Sequence, residues 1–223
     1  MLNHIKADLY RIIFRKSFIL LAIILTGSTV LAFIGFSSDP EKTLSFYTTI
    51  SFLLYLFLSV LISDYTLREE LELKVLKNDM TTGVSRNVLY ISKYLSGVIL
   101  TIALWLLISL AITVTAVFIT SPAGAIDYMK ELFSLPQLLI ILQVLFCLGL
   151  FQLIGLFVRK TILLLLLCVA LEKVFMVIVE RVPLFQDLAN KYSSNSFAAF
   201  LLTIFAIVAI VIIGSIVFKK KEL

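Results

Sequence analysis

Glu172 and Lys173 stand side by side inside an otherwise apolar run, Thr161–Val179. A carboxylate and an ammonium in such a place could line an ion or substrate path, or fasten one helix to another. They are tolerated there only when they face protein or water. Few other residues could do chemistry. His4 is the single histidine and lies outside every apolar run, so Ser–His and His–metal constellations cannot be assembled within one. Cys147 and Cys168 are 21 residues apart, without CxxC or metal-type spacing, and read as small apolar fillers. No GxxxxGK[ST] phosphate loop occurs among the eight glycines, so any nucleotide hydrolysis that drives this protein belongs to another chain. We expect no catalytic residue, no metal and no cofactor in this chain.

The elements that must position these residues follow from composition. Hydrophobic residues make up 61% of the 223 positions and charged ones 15%, with a mean hydropathy of +1.10. Soluble domains carry about 25% charge, and one soluble core of this size cannot hide so much apolar surface. A water-soluble enzyme is excluded. Disorder and coiled coil are excluded too, because the apolar residues come in long unbroken blocks. Crossing a hydrocarbon core of roughly 30 Å takes about 20 mostly apolar residues. Six stretches qualify: Ser17–Phe36, Leu44–Ser63, Tyr94–Thr120, Pro136–Val158, Thr161–Val179 and Phe197–Phe218. None shows the short alternating pattern of barrel strands. The expected fold is an all-α membrane protein, one transmembrane domain over 1–223 with six spans.

Orientation comes from the basic residues. With the N-terminus inside, fourteen Lys and Arg fall on inner segments and five on outer ones, which satisfies the positive-inside rule with both termini in the cytoplasm. The net charge of +5 needs no nucleic-acid partner, since anionic membrane lipids attract such a surface. Residues 2–16 carry Leu2, Ile5, Leu9, Ile12 and Ile13 at helical spacing, with His4, Asp8, Arg11 and Arg15 opposite and Lys6 at the edge. That is a basic amphipathic helix lying in the headgroup plane: a passive anchor, or an elbow packed on a neighbouring helix or subunit. The block that follows is too long for a signal-peptide core and lacks a small-x-small cleavage site, so it reads as the first span.

The loop Asp64–Lys93 has two halves. Leu67, Leu71 and Val75 form a stripe, and Arg68/Glu72 and Glu70/Lys74 are opposite charges at i, i+4, so the second span should continue into the cytoplasm as a lever helix. Thr81, Thr82 and Gly83 interrupt it. Ser85 is placed to cap a new helix through Tyr90 and Lys93 into the third span. On the outer side, Pro183 suits a first helical turn, and Leu184, Phe185, Leu188, Ala189 and Tyr192 share a face, giving a short outer helix between spans five and six.

Glu172 sits about 18 Å from the inner end of its span. The thirteen Leu, Ile, Val and Phe of that span return about 4–8 kcal/mol on insertion, against roughly 5–7 kcal/mol for the charged pair. Insertion is near break-even unless both charges face protein or water, as a polar path or outer gate, or as a fastening between helices. Gln143, Gln152, Thr26, Ser28, Thr113 and Thr115 read as interhelical hydrogen-bonding residues.

The segment Asn78–Lys93, with Asp79, Gly83, Ser85, Arg86 and Lys93 at characteristic spacing, resembles the loop between spans two and three of type-2 ABC exporter permeases. The order of parts is similar as well: amphipathic elbow, six spans, short coupling loop, outer helix, basic tail. The resemblance implies a permease half, paired with a second permease as homodimer or related heterodimer, resting on two ATPase subunits that hold the ATP and Mg. It further implies that Asp79, Met80, Gly83, Val84, Ser85 and Arg86 couple to the ATPase through the lever bearing Glu70 and Lys74. Among such permeases, the chain is most similar to bacterial exporters and immunity factors for lantibiotics, bacitracin and amphipathic peptide toxins.

Two other functions stand beside that one: a stand-alone secondary carrier or channel using Glu172, and a membrane scaffold that moves nothing. Inverted repeats would favour the carrier, and none is visible. Glu69-Glu70-xxx-Lys74 resembles the Glu-Glu-xxx-Arg of membrane prenyl-protein proteases, but it ends in Lys, lies in the loop and has no histidine within a span. The tail Lys220-Lys221-Glu222-Leu223 matches a dilysine retrieval signal of eukaryotes. Short loops without an Asn-x-Ser/Thr site favour a bacterial plasma membrane.

Overall fold

Long runs of Leu, Ile, Val, Phe and Ala fold as helices in hydrocarbon because every backbone N–H must then find its acceptor within the same segment. The computed structural model describes residues 2–36, 57–68, 85–119, 130, 133–158, 163, 166, 170 and 196–220. Among them the chain is all-helical and no strand occurs. We number the helices α1 (Leu2–Ile13), α2 (Lys16–Phe36), α3 (Phe57–Leu67, ending in a π-helical turn, Asp64–Arg68), α4 (Arg86–Ile119), α5 (Leu135–Gly155) and α6 (Ser196–Lys220).

Four of these, α2, α4, α5 and α6, are long and apolar enough to cross a bilayer, with mean hydropathies of 2.4, 2.5, 2.5 and 3.0. This is the architecture of a multi-pass membrane protein. They match the expected first, third, fourth and sixth spans. Of the second expected span only the α3 end is described. The fifth, with Glu172 and Lys173, lies outside the described residues apart from Leu163, Leu166 and Ala170, as does most of the outer segment Glu180–Ser196.

The longest helix is α4. It begins at Arg86, directly after the expected Ser85 cap, continues into the third span as expected, and runs unbroken for 34 residues, about 51 Å, far beyond a 30 Å core. Leu89 and Tyr90 of its first turns are fully buried, so packing keeps the helix whole below the membrane-spanning part. In α5, Pro136 falls in the first turn, where its missing N–H removes no helical bond.

The helices pack in layers along the bundle. At one end Phe33 of α2, Trp105, Ile108 and Ile112 of α4, and Val144 of α5 form a cluster. In the middle Phe18 and Leu25 of α2, Leu58 and Ile62 of α3, Tyr94, Leu100 and Leu104 of α4, and Leu148 of α5 interdigitate with Ile12 of α1. At the other end Leu67, Leu89, Tyr90, Leu156 and Phe218 bring α3, α4, α5 and α6 together. Glycine sets the closest approaches. A methyl on Gly149 of α5 would sit 2.8 Å from the Ile210 side chain of α6, and one on Gly214 of α6 would overlap the Tyr90 hydroxyl of α4. Small residues at such crossings let transmembrane helices touch.

Candidate functional site

The polar groups of the bundle collect at the end where Arg15, Lys16, Arg86, Lys219 and Lys220 also lie, beside the Leu67–Phe218 cluster. α1 docks there against the first turns of α4 with Ile5, Asp8 and Ile12 buried. Three residues at i, i+3 and i+7 share one arc of a helix. The periodicity of residues 2–16 assigns Asp8 to the polar side with His4, Arg11 and Arg15; the structure instead turns it into the protein, 6% exposed. Its Oδ1 accepts a hydrogen bond from Lys93 Nζ at 2.6 Å, and both side chains are almost fully enclosed. The physical reason is that the partner is 85 residues away, so local pattern leaves the carboxylate no destination but water. The same docking splits the expected apolar face: Ile5 and Ile12 meet α4, while Leu2 and Ile13 stay exposed.

Lys93 belongs to the basic end, as expected, but its charge is spent inside the protein. One turn further on, the single hydroxyl proton of Ser96 serves the Ser92 carbonyl at 2.9 Å, with Asp8 Oδ2 at 3.5 Å. The Lys93 carbonyl accepts from Gln152 Nε2 of α5 at 3.4 Å, and the same nitrogen donates to Thr66 Oγ1 of α3 at 2.9 Å. Thr66 gives its own proton to the Ile62 carbonyl at 2.8 Å, so both neighbours of the amide nitrogen are acceptors and the amide orientation is determined. Among the described residues the buried Gln152 Oε1 and Tyr90 Oη have no hydrogen-bond partner. A single turn of α4 around Lys93 thus ties α1, α3 and α5 together.

The π-helical turn of α3 contributes to this junction. Its Thr66 and Leu67 are buried while Tyr65 is half-buried. Tyr65 lies under the Arg15 guanidinium, 5.3 Å from ring centroid to charge, and edge-on to Phe18, a cation–π contact that pins the α1–α2 corner to α3.

Of the residues expected to couple to an ATPase, the structure describes two. Ser85 caps α4: its carbonyl accepts from Leu89 N–H at 3.0 Å and its Oγ from Val88 N–H at 3.4 Å. Arg86 Nη1 donates to the Lys219 carbonyl at 2.9 Å, placing a cation at the C-terminus of α6, where the helix dipole favours it. Seven residues separate Arg86 from Lys93, about 10 Å along the helix. Asp79, Met80, Gly83 and Val84, the lever residues Glu70 and Lys74, and the pair Glu172 and Lys173 lie outside the described residues.

Gln152 makes the interhelical bond expected of it. Thr26, Ser28, Thr113 and Thr115 do not: their hydroxyls donate to Ala22, Leu25, Ser109 and Ala111 carbonyls of their own helices. In hydrocarbon a carbonyl one turn back is always within reach, and no neighbouring helix has to supply it. Cys147 is a free thiol packed with the group around Val60 and Phe151. Among the described residues no three His, Cys, Asp or Glu gather to hold a metal. Through these bonds the junction holds four elements in one arrangement. The sequence reading missed Asp8, Lys93 and Thr66 as its members. The available signals were the spacing of Asp8, three residues after Ile5 and four before Ile12 and so on the same side of the helix as both, and the pair Ser92/Ser96 around Lys93.

A double-mutant cycle on the α3–α5 contact gives a direct check. Thr66→Val and Gln152→Met, measured singly and together by unfolding in detergent, should show a coupling of about 0.6–1.7 kcal/mol. Gln152→Met should be the milder single change, because it also removes the unpartnered Oε1. Additive effects would mean that the bond at 2.9 Å contributes nothing.

No protein-family model matches the chain, and no curated protein or solved structure is significantly similar to it.

Proposed function

We propose that this chain is the membrane permease subunit of an ABC exporter. It moves an amphipathic substrate such as a peptide toxin, an antimicrobial peptide or a drug out of a bacterial cell, powered by ATP hydrolysis on separate subunits. The basic end faces the cytoplasm under the positive-inside rule, in the plasma membrane with both termini inside, and a second permease completes the path.

One observation carries the reading. Arg86 opens an unbroken 34-residue helix and is bonded at the same time to the end of α6. A push on the residues just before Ser85 therefore moves two long apolar helices together, which is what a motor outside the membrane needs in order to tilt the walls of a path. The junction around Lys93 passes the same displacement to α1, α3 and α5 and keeps the inner end rigid. The absence of a phosphate loop from the sequence agrees with a motor on another chain.

Arg86→Ala and Gly83→Val are expected to keep the protein in the membrane at normal levels, to leave ATP hydrolysis by the partner running, and to abolish its stimulation by substrate together with export. Stimulation and export that remain intact in both variants would count against the coupling role. Substrate movement by the purified chain in vesicles without any ATPase would overturn the permease reading in favour of a stand-alone carrier.

A further inference from the structure

We infer that the π-helical turn Asp64–Arg68 of α3 is a register switch. It passes between π- and α-helical forms, and Gln152 of α5 holds it in the π form. This goes beyond the permease reading and does not depend on it.

The turn holds one residue more than an α-helix needs. A π turn bonds i to i+5 where an α turn bonds i to i+4, and such turns occur mostly singly, often at functional places. Closing the ladder to i+4 advances whatever lies beyond by one residue, about 100° and 1.5 Å. Residues 58–60, 62 and 63 are buried and keep the preceding part of α3 from rotating, so the change is confined to its inner end.

What stabilises the π form is a bond made by another helix. Where an α ladder passes into a π ladder, one carbonyl loses its N–H donor, and in a buried place it needs another. The Ile62 carbonyl, two residues ahead of the turn, accepts from Thr66 Oγ1 at 2.8 Å, and the Ser63 carbonyl lies 3.4 Å from the same oxygen. Threonine back-bonding is common in helices. Specific to Thr66 is that its oxygen also accepts from Gln152 Nε2 at 2.9 Å, with both residues 0% exposed. A rotation of 100° takes Thr66 out of reach of Gln152, so the bond belongs to the π form alone. That form also carries a cost, because Gln152 Oε1 has no hydrogen-bond partner among the described residues. One bond set against one unsatisfied oxygen leaves the two forms close in energy.

The surroundings allow the movement and relay it. Towards α5, Ser63 and Thr66 are small, and a methyl on Gly155 would still lie 4.0 Å from Ser63 Oγ, so no bulky side chain blocks a slide of 1.5 Å. On another side Tyr65, half-buried, lies 5.3 Å below the Arg15 guanidinium and edge-on to Phe18. The rotation that parts Thr66 from Gln152 carries this ring away from both. One turn of α3 thus links α5 to the α1–α2 corner.

The test is fluorine NMR of the full chain in lipid nanodiscs, with 3-fluorotyrosine at its eight tyrosines and the Tyr65 line assigned by its loss in Tyr65→Phe. The parent is expected to show a major line and a minor one in exchange with it. Gln152→Met and Thr66→Val should each raise the minor line roughly threefold or more, while Thr66→Ser, which keeps the hydroxyl, should match the parent. Deleting Asp64 removes the surplus residue: the chain should fold with a continuous α ladder, show one Tyr65 line, and no longer respond to Gln152→Met. A Tyr65 line unmoved by both Gln152→Met and Thr66→Val would overturn the switch. So would a deletion variant that fails to fold, since the residue would then not be surplus, or one that still responds to Gln152→Met, since the response would then be a direct effect of the substitution.

Discussion

Replacing Asp8 by Asn, or Lys93 by Met, is expected to destabilise the folded chain by about 3–5 kcal/mol, because each change breaks the buried ion pair and keeps the other charge enclosed. Lys93 is 2% exposed and the Asp8 side chain 8%, so neither can turn to water without undocking α1. The desolvation cost was met once, jointly, when the pair closed at 2.6 Å; removing one partner keeps the cost and loses the attraction. The double variant Asp8→Leu/Lys93→Met removes both charges and should recover most of the loss, as buried ion pairs replaced by apolar residues often do. Denaturant unfolding in detergent measures the energies. Protease access to the Ile5–Ile12 segment measures docking, which should fail in the single variants and return in the double. Single variants within 1 kcal/mol of the parent would show that the pair holds nothing.

Gly214→Ala is the second large effect. The added methyl would overlap the Tyr90 hydroxyl, and Tyr90 has nowhere to go: it is fully buried and its ring is tilted against Phe218 at 5.7 Å. Overpacking of this kind costs about 1–3 kcal/mol. Tyr90→Phe alone should be close to neutral, since the hydroxyl it removes has no hydrogen-bond partner among the described residues. Combined with Gly214→Ala it should relieve much of the strain. A rescue smaller than about 0.5 kcal/mol, the usual additivity error, would mean that the helices separate instead of the ring being crowded. The same crossing lies one layer below the Lys93 junction, so a helix shift there should also weaken the Arg86–Lys219 contact.

The parts of the candidate site differ in how far the sequence announced them. The Ser85 cap was legible because a capping bond involves residues two to four apart. The start of α4 at Arg86 was legible with it, since a helix was expected from Ser85 through Tyr90 and Lys93 into the third span; that Leu89, Tyr90 and Lys93 are buried there was not, because their contacts come from other helices. Gln152 was rightly expected to bond another helix, but its partner, Thr66, lies 86 residues away. The coupling residues 79–84 and the pair at 172–173 fall outside what the structure describes, and their roles rest on the sequence.

What the sequence determined by itself is the solvent and the elements. Blocks of about twenty apolar residues must be helices in a bilayer, and the ends of α2, α5 and α6 fall within a few residues of those blocks because hydropathy and helical hydrogen bonding are both local. Tertiary structure alone decided which arcs meet protein and which meet lipid. In a membrane both are equally apolar, so the wheel of α1 cannot distinguish Ile5 and Ile12 from Leu2 and Ile13. It alone decided, too, that Asp8 closes on Lys93, since a charge finds its partner through the packing of whole helices and not through its neighbours in the chain.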